Sequence, residues 1–215
     1  GYANILYYTN DSTSNYNSMQ VSGNRRFARG LQFGLAWTWS KAMDFNDNDT
    51  EAISSLVNPR VWNYSMAGFD RTHMFKLNWM WILPKLRVSN PALKQALHGW
   101  QLSGIISFIS GAPTSVSYSS TSGVDVTGTA TQSARIVVLS NPVLPKSERS
   151  FSRNFRTDVF AVPVQGTWGN AARYILRGPG VNNWDLSLLK EFPVHEQKRF
   201  QFRAEAYNAF NHAQF

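Results

Sequence analysis

The chain has 215 residues, of which 43% are hydrophobic, 14% aromatic and only 16% charged, with a formal net charge of +8. No apolar run approaches the roughly 18 residues of a spanning helix, so a helical membrane protein is excluded; a strand-built one is not, because alternation averages to the observed mean hydropathy of −0.31. The absence of cysteine removes disulfides and thiol chemistry, and the scattered cations, with no Lys/Arg block of five, argue against a nucleic-acid partner.

Six segments alternate in the way of strands whose successive side chains point to opposite faces. Tyr16 to Phe27 is the weakest, with Met19, Val21 and Phe27 on one parity but Arg25 among them. Ala28-Arg29-Gly30 then reads as a short hairpin turn into Leu31–Met43, where Leu31, Phe33, Leu35, Trp37 and Trp39 face Gln32, Gly34, Ala36, Thr38 and Ser40. Arg71–Leu83 sets Phe75, Leu77, Trp79, Trp81 and Leu83 against Met74, Lys76, Asn78, Met80 and Ile82. Trp100–Ser110 opposes Leu102, Ile106 and Phe108 to Gln101, Ser103 and Ser107. Asn183–Phe192 opposes Trp184, Leu186, Leu188 and Phe192 to Asn183, Asp185, Ser187 and Glu191. Arg199 to about Phe210 opposes Phe200, Phe202, Ala204 and Ala206 to Gln201, Arg203, Glu205 and Tyr207. Within the long stretch before the fifth segment, Ser133–Ser140 carries Ile136, Val137, Val138 and Leu139 and predicts a short extra strand, while the Ser/Thr/Gly-rich Gly111–Gly128 reads as flexible.

Connections alternate short and long: Ala28–Gly30, Ser40–Asp70, Pro84–Gly99, Gly111–Gly180 and Pro193–Lys198. Long structureless loops count against a compact domain, but short periplasmic turns and long extracellular loops are the ordinary asymmetry of an outer-membrane barrel. The rhythm puts Trp39 and Trp184 at the outer rim and Trp81, Trp100, Phe192 and Phe200 at the inner rim, where amphipathic rings meet the membrane–water interface. The expected fold is all-β: an antiparallel transmembrane barrel segment of about six long strands, open when isolated, with its apolar wall toward lipid. Parity further predicts Phe192 opposite Phe200 and Leu188 opposite Ala204. Lys190 shares the apolar parity, and its stem is expected to carry the ammonium to the headgroups. Gly1-Tyr2-Ala3 shows no charged segment followed by an apolar one, and Phe215 follows a strand pattern directly, so residues 1–215 read as a barrel portion incomplete at both ends, without plug or signal peptide.

SNYNSMQ (Ser14–Gln20), LQFGLAWTWSKAMD (Leu31–Asp44), FDRTH (Phe69–His73), GWQLSGIISFISGAP (Gly99–Pro113), WGNAARYILRGPGVNNWDLSLLKEF (Trp168–Phe192) and RFQFRAEAYNAFNHAQF (Arg199–Phe215) together resemble the C-terminal barrel portion of Oar-like TonB-dependent outer-membrane proteins. The resemblance touches most of the chain apart from Asn46–Gly68 and Val116–Ser152. It implies a barrel of about twenty-two strands around a plug. The partners it implies are outer-membrane lipid and lipopolysaccharide, the plug of the same parent chain, the TonB system through an N-terminal part, and an unknown small-molecule or carbohydrate substrate. It also implies location in the outer membrane of a Gram-negative bacterium.

No catalytic or cofactor-binding constellation is present. His73, His98, His195 and His212 share no metal-ligand spacing. Asp44–Glu51 begins like a calcium loop, but Asp49 replaces the turn glycine and Ser55 the closing glutamate, which leaves only a looser calcium site open. Lys76, Asn78, Asp185, Arg203, Glu205 and Tyr207 are the candidate lumen-facing polar residues, read either as ligand or plug contacts or as an ionic ladder along the pore wall. Trp62, Tyr64 and Trp168 are candidate loop ligand contacts, able to stack on a flat ligand or to pack the loops together. Uptake, a non-transporting role in surface organisation or adhesion, and a soluble all-β carbohydrate-binding module remain the competing functions.

Overall fold

The computed structural model describes residues 5, 7–48, 53–120, 123–129, 132–150, 152–195 and 198–213. Its main sheet is antiparallel throughout and built from β1 (Ser14–Ala28), β2 (Leu31–Asp44), β3 (Ser65–Met66), β4 (His73–Ile82), β5 (Trp100–Ile109), β10 (Val181–His195) and β11 (Lys198–Ala206). The order along the sheet is β1-β2-β4-β5-β10-β11, with β3 paired to the end of β2, so β1 and β11 are open edges. Each strand lies beside its predecessor among the long strands, the up-and-down order that an outer-membrane barrel requires. Helix α1 (Pro59–Asn63), helix α2 (Pro91–Leu97) and the strand pairs β6 (Pro113–Thr114) with β9 (Leu176–Arg177) and β7 (Val137–Val138) with β8 (Phe160–Ala161) occupy the connections.

The alternation read from sequence becomes register. Leu35 lies opposite Leu77, Leu77 opposite Ile106, and Ile106 opposite Trp184, so one wall of four adjacent strands is continuously apolar. Phe192 pairs with Phe200 and Leu188 with Ala204, as parity demands. The first hairpin closes through only two residues, Arg29 and Gly30, with φ of 52° and 81°. Two left-handed residues give a two-residue turn the twist its strands need. A Cβ at Gly30 would stand 2.6 Å from the Ile82 carbonyl oxygen, so no other residue fits there without a shift.

Three expectations need correction. The sixth strand stops at Ala206 rather than near Phe210. There Asn208 turns left-handed (φ 46°) and its N–H is captured at 2.9 Å by the Asp185 carboxylate, with Ala209 N–H donating to the Trp184 carbonyl. The extra strand in Ser133–Ser140 is only Val137–Val138, paired to β8. Lys190 does not reach toward headgroups: it is 2% exposed, and its Nζ donates to the Ala96 and His98 carbonyls at 2.8 and 2.7 Å. The end of α2 supplies acceptors and the Trp100 and Phe192 rings lie 4.5 and 5.0 Å from the ammonium, so the charge is satisfied inside the protein. Helix α2 itself went unforeseen, although Asn90-Pro91 is a helix-start signal: the Asn90 side chain accepts from the N–H groups of Ala92 and Leu93, and proline fills the first turn.

The chain divides into two compact units. A loop unit comprises Gly1–Asn17, Lys41–Arg71 and Gly111–Gly178; a sheet unit comprises Ser18–Ser40, Thr72–Ser110 and Pro179–Phe215.

Candidate pore wall and loop cluster

In the sheet unit the wall opposite the Phe/Leu/Trp face carries the predicted polar residues. Register aligns Gly34 with Asn78, Asn78 with Ile105, Ile105 with Asp185, and Ser187 with Glu205. Asn78, Asp185, Glu205 and Tyr207 line one recess together with Gln32 and Ser187. Lys76 stands opposite Ser107, one pair further along the same wall. Arg203 is opposite Leu189 and its Nε lies 3.5 Å from Glu205, whose other oxygen accepts from the Tyr207 hydroxyl at 3.0 Å. Glu191 pairs with Arg199 at 3.2 Å on the same strands. Each of these two half-open pairs contributes little to stability because water screens it. Asp185 has a structural task as well: besides Asn208 it accepts from the Asn183 side-chain amide at 2.9 Å, which fixes where β11 ends.

This wall is not uniformly polar. Met74, Ile82 and Ile105 share its parity and are exposed, Ile105 by 53%. Leu189 sits there too, buried.

The opposite wall ends in rings. Phe75 stacks on Phe108 at 5.7 Å, Phe108 meets Trp184 edge-on at 5.7 Å, Trp184 meets Phe210 at 5.4 Å, and Trp37 stacks on His73 at 5.9 Å. At the other strand ends stand Trp81, Trp100 and the Phe192–Phe200 pair, 6.0 Å apart. From Trp184 to Phe192 is eight residues, about 26 Å of strand, which at barrel tilt rises about 20 Å, close to the apolar band of an outer-membrane wall. Two aromatic belts flanking an aliphatic band is the arrangement expected at lipid, not at a soluble core.

In the loop unit the work is done by three arginines that sequence reasoning did not single out. Arg173 bridges Asp44 (3.1 Å) and Asp47, and the Tyr174 hydroxyl donates to Asp47 at 2.6 Å. Asp47 also accepts the Gly68 N–H at 2.8 Å. Burial pushes the Asp47 carboxyl up, but the Tyr174 hydroxyl, the Gly68 N–H and Arg173 outweigh it and hold the group below its ordinary value. The Tyr174 phenol is raised, first by the bond to Asp47 and then by burial. Arg177 pairs with Asp70, whose other oxygen accepts the Ala42 N–H at 2.6 Å, and Arg177 also reaches the Gly111 carbonyl at 3.2 Å. Arg135 donates to Asn63 Oδ1, to the Trp62 carbonyl at 2.6 Å and to the Ala171 carbonyl at 3.3 Å. Segments 41–71 and 111–178 are thereby tied into one body. The sequence hints were the resembling stretches themselves: FDRTH holds Asp70, LQFGLAWTWSKAMD ends on Asp44, and WGNAARYILRGPG holds Arg173, Tyr174 and Arg177.

The three loop aromatics separate. Trp62 and Trp168 meet edge to face at 6.1 Å, and the Arg135 guanidinium lies 4.2 Å above the Trp62 ring. Tyr64 makes neither of these ring contacts; the residue is 37% exposed and its hydroxyl accepts from the Asn15 amide at 3.0 Å. In the Asp44–Glu51 stretch, Asp44 and Asp47 are committed to Arg173, while Asp49 and Glu51 lie outside the described residues. Among the described residues no three carboxylates or histidines gather as a metal site would require. His98 Nε2 lies 2.8 Å from the Leu86 carbonyl and His212 Nδ1 3.1 Å from that of Asn182, as local pins; His195 has no described side chain.

A family model described as an outer membrane beta barrel domain matches residues 1–215. No curated protein and no solved structure matches the chain.

Proposed function

This chain belongs to the outer membrane beta barrel domain family, which puts it in the bacterial outer membrane, and we propose that it forms part of the barrel of an Oar-like, TonB-dependent receptor that takes up a nutrient. One observation carries the step from barrel to plugged receptor. An open aqueous pore would leave Met74, Ile82 and Ile105 in water, at a cost of about 25 cal/mol for each Å² of apolar surface. A plug from the same parent chain covers them, and Asn78, Asp185, Arg203 and Glu205 around them supply its polar contacts. The substrate is a small molecule or carbohydrate captured on the outer side, where Tyr64 offers an accessible ring, and energy comes through TonB.

The test is genetic and transport-based. Deleting the parent gene and inactivating TonB should abolish uptake of the same substrate from a panel of labelled sugars, oligosaccharides and chelated metals, with no further loss in the double mutant. Normal uptake together with altered cell-surface morphology or adhesion would instead assign the barrel to surface organisation.

A further inference from the structure

The end of the sheet unit that bears the short connections is basic and greasy together. Arg26 precedes the first turn and Arg29 is in it, Lys85, Arg87 and Lys94 lie along the second connection, and Lys198 closes the third. All six are exposed. Hydrogen bonds place the connections side by side: Ile82 N–H donates to the Gly30 carbonyl, Leu83 N–H to Trp100, and Glu191 N–H to Gly99. From Leu83 to Gln101 the sequence has no acidic residue.

Helix α2 is fastened to this rim. The Trp100 indole donates to the Ala96 carbonyl at 2.9 Å, and Lys190 holds the carbonyls of Ala96 and His98. Leu93 and Leu97, one turn apart on the helix, and Leu86 before it are 47%, 40% and 54% exposed. Trp100, whose indole holds Ala96, is a ring of the inner aromatic belt, so the helix that carries Leu93 and Leu97 is anchored at that belt. Leucines beside a belt, ringed by cations, are the composition of an element lying in a headgroup layer.

We propose that α2 and the basic rim form a docking surface for the anionic phospholipid headgroups of the inner leaflet, with Leu86, Leu93 and Leu97 in the acyl boundary and Lys85, Arg87 and Lys94 on the phosphates. Lys190 is the positioning residue that keeps α2 against the strand ends. This surface requires only the outer-membrane location and is independent of the uptake reading.

The full protein, extracted in mild detergent with equimolar phosphatidylglycerol and phosphatidylcholine, is examined by native mass spectrometry. Wild type should retain phosphatidylglycerol preferentially. A juxtamembrane cation contributes roughly five-fold in affinity, so the triple variant Lys85→Gln, Arg87→Gln, Lys94→Gln should lose that preference by about ten-fold or more. Lys146→Gln with Arg153→Gln, in the loop unit, should leave it intact. Leu93→Ser with Leu97→Ser should reduce retention of both lipids, and Lys190→Met should reproduce that loss while heat-modifiable gel mobility still reports a folded barrel. Equal retention of the two lipids by wild type, an undiminished preference in the triple variant, or displacement of phosphatidylglycerol by lipopolysaccharide at this rim would overturn the proposal.

Discussion

Asp70 in the loop unit is 2% exposed and bonded through both carboxylate oxygens, whereas Phe202 on the sheet stands 45% exposed. The contrast extends to the neighbours of each. Asp44, Asn63 and Ser65 are buried polar groups, the first two with described partners reaching across long stretches of chain, while Trp39, Trp81 and Phe200 are exposed apolar ones. A protein meeting only water would bury the second set and expose the first. The loop unit is built as a body in water, held by ion pairs that satisfy its buried charges; the sheet is built for a solvent that is itself apolar.

That contrast can be broken first at Asp70. Asp70→Ala leaves Arg177 without its carboxylate and the Ala42 N–H without its acceptor, and removing one partner of a buried pair costs about 3–5 kcal/mol. Hydrogen exchange and limited proteolysis should show opening confined to segments 41–71 and 111–178, with β4, β5 and β10 still protected. Loss of protection in the strands as well would deny the two units their independence.

Arginine scanning along one strand sharpens the other half. Leu77→Arg, on the apolar wall near mid-membrane, should cost about 2–4 kcal/mol in a refolding titration into lipid vesicles. Asn78→Arg, on the reverse wall, should cost at most a few tenths of that. Equal costs would erase the distinction between the two walls.

In the loop unit two groups tie stability to protons. Asp47 is held below its unfolded value, so its stabilisation is fully present above the ordinary carboxylate range near 4 and is lost as pH falls through the lower folded value. Tyr174 is raised, so its stabilisation is complete below about 10 and is lost as pH climbs through its higher folded value. Proteolysis of segments 41–71 and 111–178 across pH should therefore accelerate at both extremes. Asp47→Asn should weaken the acid limb and pull the alkaline limb down toward an ordinary tyrosine. An unchanged profile in that variant would refute the role given to Arg173, Tyr174 and Asp47. The smallest effect is expected at Trp62 and Trp168, where Trp168→Leu should cost about 0.5–1.5 kcal/mol of edge-to-face contact.

Residues 31–43 and 183–192 disclosed their strands because a period of two is a local signal, carried by neighbours two positions apart. The same signal fixed Phe192 opposite Phe200, since a one-residue slip would turn the whole apolar set over. It could not disclose Arg173 with Asp47 or Arg177 with Asp70, whose partners lie 126 and 107 residues away. Lys190 misled for a related reason. Parity put it on the apolar wall, as the register has it, but its carbonyl acceptors come from α2 and its C-terminal cap, more than ninety residues earlier. Asn78, Asp185 and Glu205 were legible as one wall; that Asp185 also ends β11 through Asn208 depends on a turn no alternation encodes.

The medium that wets each wall of the strands decides whether this chain spans a membrane as described. Nitroxides placed at Leu35, Leu77 and Phe202 of the membrane-inserted protein should relax strongly with bilayer-dissolved oxygen and weakly with a water-soluble nickel chelate, while labels at Ala36, Asn78 and Gln201 show less oxygen contact. Labels at Leu35, Leu77 and Phe202 that respond to the chelate rather than to oxygen would contradict it.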